Sequence, residues 1–391
     1  MVRVAVIFHL VGLTFFSVLC QADTEPSRGP WGELISFPVI LEPDDYSVSL
    51  SSDLKNWREG TVWKFDAENE IEVANLLMTS GFSDALAHRL TSRGYMTKNA
   101  TTGWFEIRPP EEVIVSLKPE QRASLYPHLY PKDSSNPFNG YFGLAPGGVK
   151  SLLQIPSSLP STQIDLINRL SYKSGQTYRL ADINYIFEKA QDYRERFQII
   201  KFIRRQNALS LHLIINTSES LENAAKYWSS EGRNKEILPI LESVARTPGV
   251  DKLDIAHLLP PFPRKVIFTY PSIHGEGIGQ YTPDCFWTAA SFFSDSPPDR
   301  FLDLTAHTLL ERYMKVPATN LQFGDLIIFT DKDTGKRLHA CNHIAGEYVF
   351  TKNGASLNRP WVFATLRSVI NTYLERDMSL SFFRLKPGYR K

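Results

Sequence analysis

Three prolines in four residues, Pro260-Pro261-Phe262-Pro263, constrain this 391-residue chain more than any other local feature. Each ring fixes φ, removes a backbone donor and pushes the preceding residue out of the α region. The run therefore excludes helix and stands as a stiff boundary between the segments on either side of it. At roughly 150 residues per domain, length points to two or three domains. Lys+Arg is 43 and Asp+Glu is 42, a net charge of +1. That balance excludes a nucleic-acid binder working through bulk positive charge, and an acidic solvating tail. With 42% hydrophobic and 22% charged residues, the chain is of ordinary globular composition and long enough to bury a sizeable core.

The first residues read as a targeting segment. Arg3 is followed by an apolar run from Val4 to Leu19, then Cys20-Gln21-Ala22 and polar residues from Asp23. This is the pattern of a secretory signal peptide spanning 1–22. Two alternatives stay open: an uncleaved membrane anchor, for which the run is short, and a lipoprotein acylated on Cys20, against which Leu19 is bulky. The expected location is secreted or periplasmic, with no transmembrane span in the mature chain. Cleavage after Ala22 would leave two cysteines, Cys285 and Cys341, which is no disulfide scaffold. Either they form one bridge, or a thiol is kept free for chemistry. Asn99-Ala100-Thr101 and Asn216-Thr217-Ser218 match glycosylation sequons, which bear on function only in a eukaryotic secretory route.

The expected class is α+β. A first unit, 23–135, has helices around Ile71–Met78 and 84–93, strands at Trp104–Ile107 and Val113–Val115, and a helix opened by Pro119. A second, 136–262, begins with a Ser/Pro/Gly/Asn-rich linker covering 131–160. It is then mainly helical, with apolar stripes through Ile183–Ala190 and Phe197–Arg204, helices at 221–228 and 235–246, and one alternating strand from Leu209 to Ile215. Arg204-Arg205 reads as part of a solvated helix face. A third unit, 263–391, carries strands at 265–270, Leu326–Phe329, 337–345, Tyr348–Lys352 and Ser379–Leu385. Its helices are expected at 284–293, 300–313 and Trp361–Tyr373.

Residues that could carry chemistry gather in this last unit. Pro283-Asp284-Cys285 ends a Gly-rich loop and begins an apolar helix. A cysteine in a first helical turn faces unpaired N–H groups and the positive end of the macrodipole, which favour the thiolate, and Asp284 can cap the helix. The bland alternative is an ordinary core cysteine. In the 337–345 strand, His339, Cys341 and His343 alternate onto one face, so either imidazole could serve such a thiol as base. Thr351 and Asn353, on the returning strand, are candidates to orient the ring, and hairpin register decides between them. The same run offers three metal ligands, but a strand holds i and i+4 far apart.

The order of these parts resembles the NlpC-type cell-wall cysteine peptidases, a papain-related superfamily. Asp284-Cys285 matches its helix start. Gly324-Asp325-Leu326, followed by Ile327-Ile328-Phe329, matches its Gly-Asp-Leu and apolar strand. His339 matches the histidine that opens its next strand, with His343 in place of its tyrosine. The resemblance covers about 265–391. It implies a papain-like domain with Cys285 as nucleophile, His339 as base, Asn353 as the orienting group and Tyr281 lining the oxyanion site. It also implies a peptidoglycan or peptide substrate cleaved at an amide, with no metal or organic cofactor. Phe286-Trp287 and Cys341 depart from the family's small residues. They leave room for a catalytically inactive wall-binding scaffold, and the same acyl-thioester intermediate passed to another acceptor would make an acyltransferase.

Overall fold

A computed structural model describes residues 26–389 except 51–53, 55–56, 58–59, 130–141, 146, 176, 216–220, 273–281, 298–304 and 374–376. The expected signal segment, the second sequon and Tyr281 lie outside the described residues. The chain is mixed α+β, and every strand pair in its three sheets is antiparallel.

Strands β1 (Ser27–Gly29) and β2 (Gly32–Leu41) open the described chain. Strands β3 (Trp63–Phe65), β4 (Met96–Lys98) and β5 (Phe105–Ile107) form a small sheet in the order β3-β5-β4. It lies over a core that includes Trp63, Phe65, Leu77, Leu90, Ile107 and Leu125. Strands β6 (Phe142–Leu144), β7 (Ser171–Ser174) and β8 (Thr177–Leu180) make a second small sheet, ordered β6-β8-β7. Its core contains Leu144, Leu152, Ile186, Phe187 and Ile200.

The remaining strands are β9 (Gln206–Ile214), β10 (Lys252–Asp254), β11 (Tyr313–Val316), β12 (Leu326–Asp331), β13 (Arg337–Ala345), β14 (Tyr348–Lys352), β15 (Trp361–Thr365) and β16 (Met378–Leu385). They join β1 and β2 in one large sheet ordered β1-β2-β9-β15-β14-β13-β12-β16-β11, with β10 on β9. One face of this sheet buries Leu34, Leu211, Trp228, Leu241, Phe262, Trp287, Ile328, Phe350 and Phe363 in a single core. The other, around Ile327, Phe329, Cys341 and Val349, is covered by the Leu366–Thr372 helix through Val369.

The expected division at 262/263 therefore runs through the middle of one sheet and one core. β2 is sequence-remote from β9, yet pairs with it from Glu33↔Ile214 to Leu41↔Gln206. The ladder between β9 and β15 is a single pair, Phe363↔Leu209. Continuity across that seam comes from apolar packing more than from backbone hydrogen bonds.

Several expectations are corrected. The proline run starts a helix, Pro261–Val266, instead of excluding one. Pro260 is its cap and Pro261 and Pro263 fall in the first turn, where backbone N–H groups have no helical partner to lose. Residues 265–270 are thus not a strand. Trp361–Tyr373 is not one helix: Trp361–Thr365 is a strand buried between two faces, and the Thr365 hydroxyl then caps the helix by accepting from Ser368 N (3.1 Å). Val113-Ile114-Val115 lies in a helix, Glu111–Ser116, because burial against two cores outweighs β-branched propensity. Within the expected linker lie β6 and the Gly148–Leu152 helix, packed on the second core. Arg205 is not on a solvated face. It is buried, paired with Glu42 at 2.6 Å, and donates to the carbonyls of Leu152, Ile155 and Pro156.

Candidate active site

The helix bearing the thiol is short, Cys285–Ala290, and nearly all of it is buried. Asp284 caps it as expected from sequence, its Oδ1 accepting from Trp287 N at 2.8 Å. Asn342 on β13 donates to the Ala289 carbonyl (3.1 Å) and the Gly324 carbonyl (3.3 Å), which ties the helix to the turn before β12. Trp361 Nε1 donates to Thr288 Oγ1 at 3.0 Å. The helix thus rests on the sheet face made by Ala340, Asn342, Phe350 and Trp361.

The Gly-Asp pair has a structural job. Gly324 has φ of +84°, and a Cβ there would overlap the Phe293 ring, so only glycine fits. Asp325 Oδ1 accepts from Arg384 Nε (2.9 Å), and Oδ2 from Arg384 Nη2 (2.7 Å) and Gln322 N (2.8 Å). This buried fork clamps β16 to the turn.

His339 is fully buried on β13. Its ring stacks on Tyr373 (centroids 5.3 Å apart, 29° between planes) and meets Phe329 edge-on. Its Nε2 shares a 2.9 Å hydrogen bond with Thr351 Oγ1, while its Nδ1 is buried and has no partner. Thr351, not Asn353, therefore holds the ring. Asn353 follows the end of β14, with its Oδ1 buried and unpartnered. The two candidates stand two residues apart, on the same face by strand alternation, and β13 pairs with β14 at Asn342↔Phe350 and His343↔Val349.

His343 is not available as a base. Its Nδ1 and Nε2 each lie 3.1 Å from a backbone carbonyl oxygen, those of Gln322 and Gly346. Burial is the largest influence on its pKa and pushes it down. Cys285 and Cys341 are both free thiols, and both are buried. Among the described residues, no group of three His, Cys, Asp or Glu side chains is gathered to hold a metal. None of the described helices is long and apolar enough to cross a membrane.

Electrostatics correct one expectation. The thiol of Cys285 is raised to about 11, not lowered. Burial is the main cause, and the neighbouring Asp284 charge adds to it; backbone N–H donation from Ala340 and the cation of Lys352 oppose them without prevailing. The helix is under two turns long, so its dipole is weak. Burial likewise pushes His339 down to about 3. No hydrogen bond joins Cys285 to His339: the helix that Cys285 begins packs on the sheet face of Ala340, Phe350 and Trp361, whereas the His339 ring lies with Phe329 and Tyr373 on the other face. Both groups rest neutral.

Lys352 is the residue that sequence reasoning passed over. It is fully buried at the end of β14, and its Nζ donates to the carbonyls of Gly354 (2.6 Å) and Ser356 (3.1 Å). Strand period places it on the face of Phe350, toward the thiol-bearing helix. That alternation was the available signal.

Comparison with family models, with curated proteins and with solved structures gives no match. The functional reading rests on the geometry of the site.

Proposed function

We propose that this protein is a secreted thiol hydrolase on a papain-like, NlpC-type domain, cleaving amide bonds of peptidoglycan stem peptides. The observation that carries the reading is the state of His339: one ring nitrogen fixed by Thr351, the other buried and unpartnered. A buried nitrogen without a partner costs about 1–3 kcal/mol. Such a cost is sustained where the atom has chemistry to do.

With Nε2–H donating to Thr351, the Nδ1 lone pair is open, and it takes the thiol proton once the ring and the sulfur, which rest on opposite faces of the sheet, are brought together. Cys285 Sγ then bonds to the substrate carbonyl carbon, and His339 returns the proton to the leaving amine as the C–N bond breaks. Water hydrolyses the thioester, and the thiol is restored. In this reading backbone N–H groups at the helix start, that of Cys285 among them, receive the oxyanion. Both side chains are buried at rest, so substrate or water must enter before the ion pair forms.

That burial favours a second reading, a wall-binding scaffold in which the pair is inert. Incubation of wild type and Cys285→Ala with purified sacculi separates the two. Muropeptides released by wild type and absent with the variant support hydrolysis. Identical, empty mass-spectrometric profiles remove it for this substrate.

A further inference from the structure

We propose that the cavity between the Leu221–Ser229 helix, the β1–β2 hairpin and the loop before β12 binds an N-acetylated sugar. The inference goes beyond the thiol reading and does not need Cys285 to be active.

The cavity measures about 810 Å³, within the roughly 300–1,000 Å³ of small-molecule sites. Each of its walls is anchored to the rest of the fold. Asn223, Lys226 and Tyr227 stand at i, i+3 and i+4 and so share one face of the Leu221–Ser229 helix. Tyr227 Oη donates to the Ile344 carbonyl (2.7 Å), and Trp228 Nε1 donates to the Trp31 carbonyl in the hairpin (2.9 Å). On the loop, Arg384 donates to the Asn320 carbonyl, and Asp325 accepts from Gln322 N (2.8 Å). The turn after the helix is strained. Ser230, Glu231 and Gly232 have φ of +46°, +58° and +81°, a left-handed run that only glycine adopts freely. Ser230 Oγ holds it by donating to the Phe323 carbonyl (3.2 Å), as does the buried Asn234 amide by donating to the carbonyls of Trp228 (3.0 Å) and Leu258 (2.6 Å). Strain sustained at the rim of a cavity points to a function for that rim.

The lining selects the chemistry of the ligand. The side chains of Asn223, Asn320 and Gln322 make no hydrogen bond among the described residues, and the last two are tied by their backbones alone. Each carboxamide offers donors and an acceptor. That set matches the N–H and C=O of an acetamido group and the hydroxyls of a sugar ring. Pro30 and Leu321 give the acetyl methyl an apolar contact, and half-buried Tyr227 adds aromatic surface for the C–H face of the ring. Lys226 and Glu231 are the charged lining residues and are of opposite sign, so the lining carries no net charge and suits a neutral ligand. A peptide would need apolar pockets for its side chains, which Pro30 and Leu321 alone do not form.

The test is isothermal titration of the purified protein with chitotetraose. The comparators are cellotetraose, which has the same linkage and no acetamido group, and tetra-alanine. Chitotetraose should bind with a Kd under about 1 mM, about tenfold or more tighter than either comparator. Asn223→Ala and Gln322→Ala should each weaken it about three- to tenfold, the worth of one hydrogen bond. Their melting temperatures should hold, because neither side chain bonds to the rest of the fold. Absence of chitotetraose binding, equal binding of cellotetraose, preference for tetra-alanine, or an affinity unchanged in both variants overturns the proposal. Should an alanine variant melt early, Asn223→Asp decides: it keeps the shape and loses the amide donors, and an unchanged affinity overturns the site. Titration needs no turnover. Empty sacculus profiles would leave this site standing, and muropeptide release without chitotetraose binding would sink this inference alone.

Discussion

Thr351→Val tests the hydrogen bond on which the site is built. Valine keeps the volume and branching of threonine, so the change opens no cavity and deletes only the hydroxyl that meets His339 Nε2 at 2.9 Å. Nδ1 already lacks a partner, so the variant leaves an imidazole with both nitrogens buried and unsatisfied. Stranding one such group costs about 1–3 kcal/mol. The same substitution in a His339→Phe background strands nothing, because phenylalanine has no polar atom and the threonine hydroxyl there is itself without its ring partner. Its cost should fall to near zero. The coupling between the two positions is then about 1–3 kcal/mol, read as the difference in urea-unfolding free energy around a double-mutant cycle. Equal costs in the two backgrounds, within about 0.5 kcal/mol, would mean that the bond contributes nothing and that the ring is positioned by Tyr373 and Phe329 alone.

The same geometry has other consequences. His339 titrates near 3 when folded, against 6.5 for the free side chain. The unfolded chain binds the extra proton, so stability is fully present above about pH 6.5 and is lost as pH falls toward 3. His339→Phe should flatten that slope of the stability-pH curve, and an unchanged slope would count against a neutral buried ring. Asp325→Ala should destabilise by about 3–5 kcal/mol, because it strands the guanidinium of Arg384 within the fold; thermal unfolding measures it, and a loss under about 1 kcal/mol would refute the clamp. Gly324→Ala should also lower the melting temperature, since the new methyl meets Phe293 at a backbone angle that L-residues rarely adopt.

Some of the site was legible in residue order alone. Asp284 announced the start of the thiol helix because a carboxylate before an apolar run caps unpaired N–H groups. The His339 strand and its hairpin return were legible from alternation and from the Gly346-Glu347 turn. What failed is equally specific. The proline run reads in sequence as a boundary that excludes helix, whereas prolines in a first turn start one. The strand Trp361–Thr365 is covered on both faces, so its pattern lacks the alternation that marks a half-exposed strand. β2 went unseen because its partner, β9, lies well over a hundred residues away.

By itself, then, the sequence determined the local rules: which residue caps, where a helix begins, which side chains share a face of a strand. Tertiary structure decided the rest. It chose Thr351 over Asn353, set His343 between two carbonyls, turned the expected low-pKa thiol into a high-pKa one and buried a lysine at the end of β14. Those outcomes depend on desolvation and on contacts between segments remote in the chain, and neither is written in any stretch of adjacent residues.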